Sequence, residues 1–193
     1  MTKILQLKIS LEGIIPKIWR RFLVKENITF QELHNTIQII MDWGDYHLFA
    51  FYIGKEQIGM PNPDFDDEML NAKKIKLKDR LLAKQKFGYL YDFGDNWEHS
   101  VIVEKVLDSA DAPFIPFCIG GERASPPEDC GSIPGYYELQ KIKKNKNHKE
   151  YKERIVGWLG EDFDFEHFDL DETNKELHRL VKIDGRTRYW VLK

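Results

Sequence analysis

The residues best equipped for chemistry lie in one run, Tyr89-Leu90-Tyr91-Asp92-Phe93-Gly94-Asp95-Asn96-Trp97-Glu98-His99. Asp92 and Asp95 flank a glycine, and His99 follows Asp95 by four residues. Two carboxylates and an imidazole can hold a divalent cation or exchange protons with a substrate. His47 and Glu128 extend that set, so the candidate metal ligands are His47, Asp92, Asp95, His99 and Glu128. A structural role accounts for the same residues: Asp92 and Asp95 bond the N–H groups of their own turn, and His99 is a bonded core histidine. Asp-Phe-Gly also occurs in kinases, but the chain has no G-x-G-x-x-G and no His-Arg-Asp. It likewise lacks G-x-S-x-G, a P-loop, H-E-x-x-H and paired C-x-x-C.

A second cluster runs from Cys118 to Gly131 and holds Gly120, Gly121, Arg123, Ser125, Pro126, Pro127, Glu128 and Asp129. Cys118 and Cys130 with His99 and one more donor would make a tetrahedral zinc site. Eleven residues separate the two thiols and neither belongs to a knuckle, which weighs against zinc. The alternative is a rigid loop in which Arg123 pairs with Glu128 or Asp129, or serves as an anion clamp. Together the two clusters outline an aromatic and polar groove. One wall is Tyr89, Tyr91, Asp92, Asp95, Trp97 and His99; the other is Arg123, Glu128 and Asp129. His34 and His47 are the other candidate ligand histidines, and His148 is expected in solvent.

These residues need elements to position them. Residues 3–11 alternate, with Leu5, Leu7, Ile9 and Leu11 on one face, predicting a half-buried strand that pairs with a second over 18–24. Thr29-Phe30-Gln31-Glu32 is a capping box that opens a helix, with Gly44 suited to its exit. Residues 47–53 are apolar on both faces and predict a central strand covered on both sides, with a short return over 55–59. An acidic loop over 61–72 follows, then a lysine-rich segment anchored by Leu77, Leu81 and Leu82. Residues 87–91 and 97–107 predict a hairpin in which Tyr91 faces Trp97 and Tyr89 faces His99. Residues 108–135 read as loop, helices follow near 135–145, 148–159 and 172–180, and residues 181–193 read as a small hairpin with an Asp-Gly turn. The expected architecture is one α+β domain with a mixed, mostly antiparallel sheet, a β-grasp-like strand-strand-helix-strand start and C-terminal helices. It divides into a sheet-rich part over 1–107, the Pro/Gly loop, a helical part over 136–180 and the extension over 181–193.

The chain has 193 residues, 42% hydrophobic and 32% charged, with a net charge of −3. That suffices for a core without disulfides or metals and excludes collagen-like, disordered and membrane-spanning classes. Two cysteines and no signal-peptide pattern over Met1–Lys8 predict a cytoplasmic protein with reduced thiols and no membrane partner. The small net charge hides two blocks. Lys141–Arg154 holds seven Lys or Arg against two Glu, and Glu161–Glu172 holds seven acids and no Lys or Arg. The first block and Arg20/Arg21 make Arg20, Arg21, Lys141, Lys143 and Lys144 candidate nucleic-acid contacts; the second opposes them.

Several motifs agree in order with one family. They are Pro16-Lys17-Ile18-Trp19-Arg20-Arg21, Leu33-His34, Trp43, His47-Leu48-Phe49, Tyr91 through His99, Gly121 through Ala124, Pro126 through Gly131, and Gly135-Tyr136. The chain resembles the plasmid pRiA4b open-reading-frame-three-like family from about residue 3 to residue 180. It departs at Ser125, where the family usually has Cys, and at Ser132, where it has Gly. The resemblance implies association of some members with plasmids and mobile elements and assigns no activity. Some members carry a resolvase-type label, but neither an activated serine among arginines nor a helix-turn-helix can be placed here. Three readings follow: a binding module built on the groove for a protein or small ligand, a metal-dependent hydrolase or nuclease using the Asp/His/Glu cluster, and a nucleic-acid-binding accessory of mobile elements.

Overall fold

The computed structural model describes residues 2–61 and 68–182. Residues 62–67, within the expected acidic loop, and 183–193, which carry most of the expected terminal hairpin, lie outside the described residues. Val181 and Lys182, assigned to that hairpin above, continue the last helix.

Strand β1 (Ile4–Leu11) buries alternate residues as its pattern requires. It pairs antiparallel with β2 (Trp19–Lys25), so Leu5, Leu7 and Ile9 lie opposite Val24, Phe22 and Arg20. Thr29 caps α1 (Phe30–Ile40) with both bonds of the capping box. The helix lays Phe30, Leu33, Ile37 and Ile40 into the core. Met41 caps its end and Asp42 takes the left-handed turn (φ 57°) that was expected nearer Gly44. β3 (Phe49–Ile53) and β4 (Glu56–Gly59) follow as an antiparallel pair, and β5 (Leu70–Asn71) adds to β4 in parallel. A 3-10 turn over Leu77–Asp79 buries Leu77, while Leu82 stays exposed and anchors nothing.

β6 (Lys86–Tyr91) and β7 (Trp97–Leu107) form the expected hairpin, with Tyr91 opposite Trp97 and Tyr89 opposite His99. The span expected to be all loop contains β8 (Phe117–Glu122) and the first turn of α2 (Ser132–Lys143). A π-helix (Tyr151–Leu159) and α3 (Leu170–Lys182) complete the described residues. Among the described residues eight strands lie in the order β5-β4-β3-β6-β7-β1-β2-β8. The strand-strand-helix-strand start is present, although β6 and β7 stand between β3 and β1.

This is an α+β domain with a mixed, mostly antiparallel sheet. Its inner face carries Phe49, Phe51, Tyr89, Tyr91, Trp97, His99 and Val101, all buried. Its outer face is only partly shielded, as antiparallel sheets allow. Tyr52 on β3 is 40% exposed, so the central strand is not covered on both sides. Outside, Arg21 makes a two-bonded ion pair with Glu104 (2.7 and 2.9 Å), which also accepts from Gln6. At the far edge, α3 closes β8. The Asn174 amide accepts from Cys118 N–H (2.8 Å) and donates to Cys118 C=O (2.9 Å), satisfying an edge residue as a strand would. No helix among the described residues is long and apolar enough to cross a membrane.

Candidate metal centre

At one end of the β6–β7 hairpin three segments meet: the α1–β3 connection, the hairpin turn and the proline loop. His47, Asp92 and Asp129 each bring one donor atom, and the three lie within 4.8 Å of one another. His47 Nε2 stands 3.2 Å from Asp129 Oδ1 and 3.6 Å from Asp92 Oδ2. Neither contact has hydrogen-bond alignment, and this buried nitrogen has no hydrogen-bond partner among the described residues. Ligands of a tetrahedral zinc at about 2.0–2.1 Å stand roughly 3.3 Å apart, so both spacings suit a shared cation. Asp92 is buried and Asp129 is exposed, leaving one side open to solvent.

The backbone around the cluster is unusual. Asp92 (φ 55°) and Asp129 (φ 57°) both occupy the left-handed region, where glycine carries no steric cost. Asp92 also performs the turn role read from the sequence: its Oδ1 accepts from Gly94 N–H (2.8 Å), which leaves Oδ2 for His47. Asp95 turns away, accepting from Gly131 N–H (3.2 Å) at the start of α2.

Glu128 fastens the segments together. One carboxylate oxygen accepts a short bond from the Tyr91 hydroxyl, and the other accepts from Gly44 N–H (2.7 Å). The Tyr91 oxygen accepts in turn from Tyr46 N–H (3.1 Å). Burial and the adjacent Glu128 carboxylate push the Tyr91 hydroxyl far above its usual pKa, so it remains a donor. Trp43 stacks on Tyr91 with ring centres 4.9 Å apart and donates Nε1–H to Pro126 C=O (2.9 Å). Both Glu128 oxygens are thus spent on holding the loop, and Asp129 rather than Glu128 stands beside His47 and Asp92.

The remaining expected site residues fall elsewhere. His99 is buried against Tyr89 and Trp43, with Nδ1 3.3 Å from Tyr89 C=O. Burial pushes its pKa down to about 3, so it is a neutral core imidazole. Tyr89 and Trp97 are likewise buried in the core and supply no exposed wall. His34 spends both nitrogens, on the Tyr89 hydroxyl (2.9 Å) and Asp45 (2.7 Å), and stacks on Phe49. Arg123 does not pair with Glu128 or Asp129. Its guanidinium makes two bonds to Glu166 (2.7 and 2.8 Å) and one to Pro16 C=O, tying the proline loop to the acidic segment. Both cysteines are buried and free, and desolvation raises their pKa values, Cys130 to about 12. Protonated thiols are poor zinc ligands, and neither joins a ligand cluster among the described residues.

The nucleic-acid candidates are also largely engaged. Arg20 is 2% exposed, opposite Ile9 on the core face. Arg21 is held by Glu104, and Lys143 donates to Glu161 C=O (2.7 Å). Arg154, at the end of the basic block, pairs with Glu138 and Glu150. Lys141 and Lys144 make no ion pair among the described residues.

Asp129 was placed on the groove wall but not among the metal ligands, and Glu166 and the acceptors around Arg20 carry no local signal in a chain rich in acids.

Comparison with known proteins places this arrangement in context. The chain is 28% identical over 184 residues to uncharacterized protein y4hQ of Sinorhizobium fredii, covering 94% of each. The crystal structure of the protein of unknown function MM3350 from Methanosarcina mazei Go1 superposes with a TM-score of 0.81 and 41% identity, covering 89% of this chain and 98% of that one. The family model for plasmid pRiA4b ORF-3-like protein matches residues 3–172. Because that match spans most of its length, the chain belongs to the plasmid pRiA4b ORF-3-like protein family.

Proposed function

We propose that the protein holds a divalent cation with His47, Asp92 and Asp129 and uses it as a Lewis acid in hydrolysis. The observation that carries the reading is convergence: three donor atoms from three separate loops lie within 4.8 Å, one a buried imidazole nitrogen without a hydrogen-bond partner. An imidazole with two carboxylates suits first-row ions such as Zn²⁺ or Mn²⁺ better than Ca²⁺. Three protein ligands leave a position for water, as in catalytic rather than structural zinc sites. Such an ion lowers the pKa of its water and polarises a carbonyl or phosphoryl oxygen. Glu128, Tyr91 and Trp43 hold the loops in register for it.

The binding-module reading finds less support at the original groove, because Tyr89, Trp97 and His99 are core residues. A nucleic-acid accessory role finds less still, because Arg20 is buried and Arg21 is paired. The test is thermal unfolding of metal-stripped protein with and without Zn²⁺ or Mn²⁺, beside hydrolysis of p-nitrophenyl ester and phosphodiester substrates. A cation at 100 times its Kd should add about 2.7 kcal/mol, or roughly 5–10 °C for a chain this long. The gain should vanish in His47→Ala and Asp92→Asn. An unchanged melting temperature with every ion refutes the cation site; a shift without turnover of either substrate refutes hydrolysis of those classes alone.

A further inference from the structure

A cavity of about 820 Å³ opens between the end of α1, the proline loop, the segment over 158–169 and the start of α3. Its size is that of a small-ligand site. Arg20 and Ser125 line it, and both are buried. Arg20 occupies a core-facing position, yet no carboxylate lies within ion-pair distance of it among the described residues. Its Nε–H bonds Ile40 C=O (2.8 Å) at the end of α1, and Nη1 bonds Trp19 C=O and Glu122 C=O (both 2.9 Å). Nη2 has one long bond, to Ser125 Oγ (3.3 Å), and its second N–H has no partner among the described residues. Phe168 covers one face of the guanidinium at 3.9 Å. Gly121 makes room for this side chain: a Cβ there would lie 2.7 Å from Arg20 Cδ and 2.7 Å from Phe168. Burial lowers the pKa of Arg20 to about 10, which still leaves a full positive charge at neutral pH.

The walls carry the opposite charge. Asp42, Asp162, Asp164, Asp169, Glu172 and Glu176 line the cavity. Asp164 and Asp169 cap backbone N–H groups, and Glu172 and Glu176 pair with Lys175 and Arg179. The carboxylates of Asp42 and Asp162 make no hydrogen bond or ion pair among the described residues. Trp158, 48% exposed, adds an aromatic surface on which a cation can rest.

We propose that this cavity binds a zwitterionic ligand, its carboxylate on Arg20 Nη2 and Ser125 Oγ and its cationic groups on Asp42 and Asp162. An anion alone would meet the acidic walls, and a cation alone would leave the buried guanidinium N–H unanswered. The cavity shares Glu128 with the loop that holds the cation centre, but His47, Asp92 and Asp129 do not line it, and the proposal does not depend on that centre.

Isothermal titration with L-arginine and with agmatine, which is arginine without its carboxylate, tests the proposal at constant ionic strength. Arginine should bind at least tenfold more tightly than agmatine, despite carrying less positive charge. Ser125→Ala should remove most of that difference, while Asp42→Asn and Asp162→Asn should weaken both ligands; these positions keep the test independent of whether Arg20 variants fold. A Gly-Gly-Arg arm separates a peptide C-terminus from a free amino acid, the tighter of the two naming the source. Agmatine binding as well as arginine, or no heat with either arginine or the tripeptide, overturns the proposal.

Discussion

Removing the Glu128 carboxylate tests how the site is held. Glu128→Ala deletes a charge-assisted bond from the Tyr91 hydroxyl and another from Gly44 N–H. Hydrogen bonds to charged groups contribute about 1.5–3 kcal/mol, less where water can replace them. Gly44 is exposed and recovers a water, so we assign that bond about 0.5–1 kcal/mol. Tyr91 is 0% exposed, and its hydroxyl proton has no other acceptor among the described residues. The expected loss is therefore about 2–4 kcal/mol, or roughly 4–16 °C in Tm for a chain of this size. Urea unfolding of the wild type, Glu128→Ala, Tyr91→Phe and the double variant isolates the pair, with an expected coupling of about 1–2 kcal/mol. Cation affinity should fall with it, because the loop presenting Asp129 to His47 loses its tie to Gly44 and Tyr91. A loss below about 0.5 kcal/mol, or strictly additive single variants, would show that the proline loop is positioned by other contacts.

Two further outcomes follow from buried groups. His99 is held neutral in the fold, its pKa lowered to about 3 by burial, whereas an unfolded histidine titrates near 6.5. The unfolded chain binds the extra proton between those values, so His99 costs no stability above about pH 6.5 and up to about 1.4 kcal/mol per pH unit as the pH falls toward 3. Urea midpoints at pH 7 and 4.5 should converge for His99→Leu relative to wild type, and parallel pH profiles would contradict the assignment. Gly135 sits where α2 crosses the Cys130 backbone, and an added Cβ would lie 1.9 Å from Cys130 C=O. Gly135→Ala must move the helix and should lower stability by more than about 2 kcal/mol; circular dichroism melts that match wild type would refute this packing.

Local pattern was enough for the elements nearest the site. The alternation of Leu5, Leu7, Ile9 and Leu11 specifies β1, because a one-residue slip would expose them all. Thr29 and Glu32 specify the start of α1 through bonds that need only three residues of separation. The hairpin register followed from counting outward from Asp92–Asn96. β8 was not legible, because Gly120-Gly121 reads as a turn. Only the neighbouring β2, with a bulge after Arg21, and the passage of Arg20 and Phe168 beside Gly121 make glycine the strand residue there.

The site divides the same way. From the sequence alone came the sheet-based α+β class, the family, and the pool of His, Asp and Glu from which the proposed cation centre is drawn, because residue type and short spacing are local properties. The tertiary structure decided which members of that pool meet. His47 and Asp129 are 82 positions apart in the chain yet 3.2 Å apart in space, because Glu128 is tied to Gly44 and Tyr91 across the sheet end. It also sent His99, Tyr89 and Trp97 into the core and turned Arg123 to Glu166 rather than to its neighbours in sequence. Arg20 and Arg21, adjacent and chemically alike, received opposite fates because successive strand residues face opposite sides of a sheet. Arg21 meets Glu104 on the open face, and Arg20 lies beneath a ligand-sized cavity.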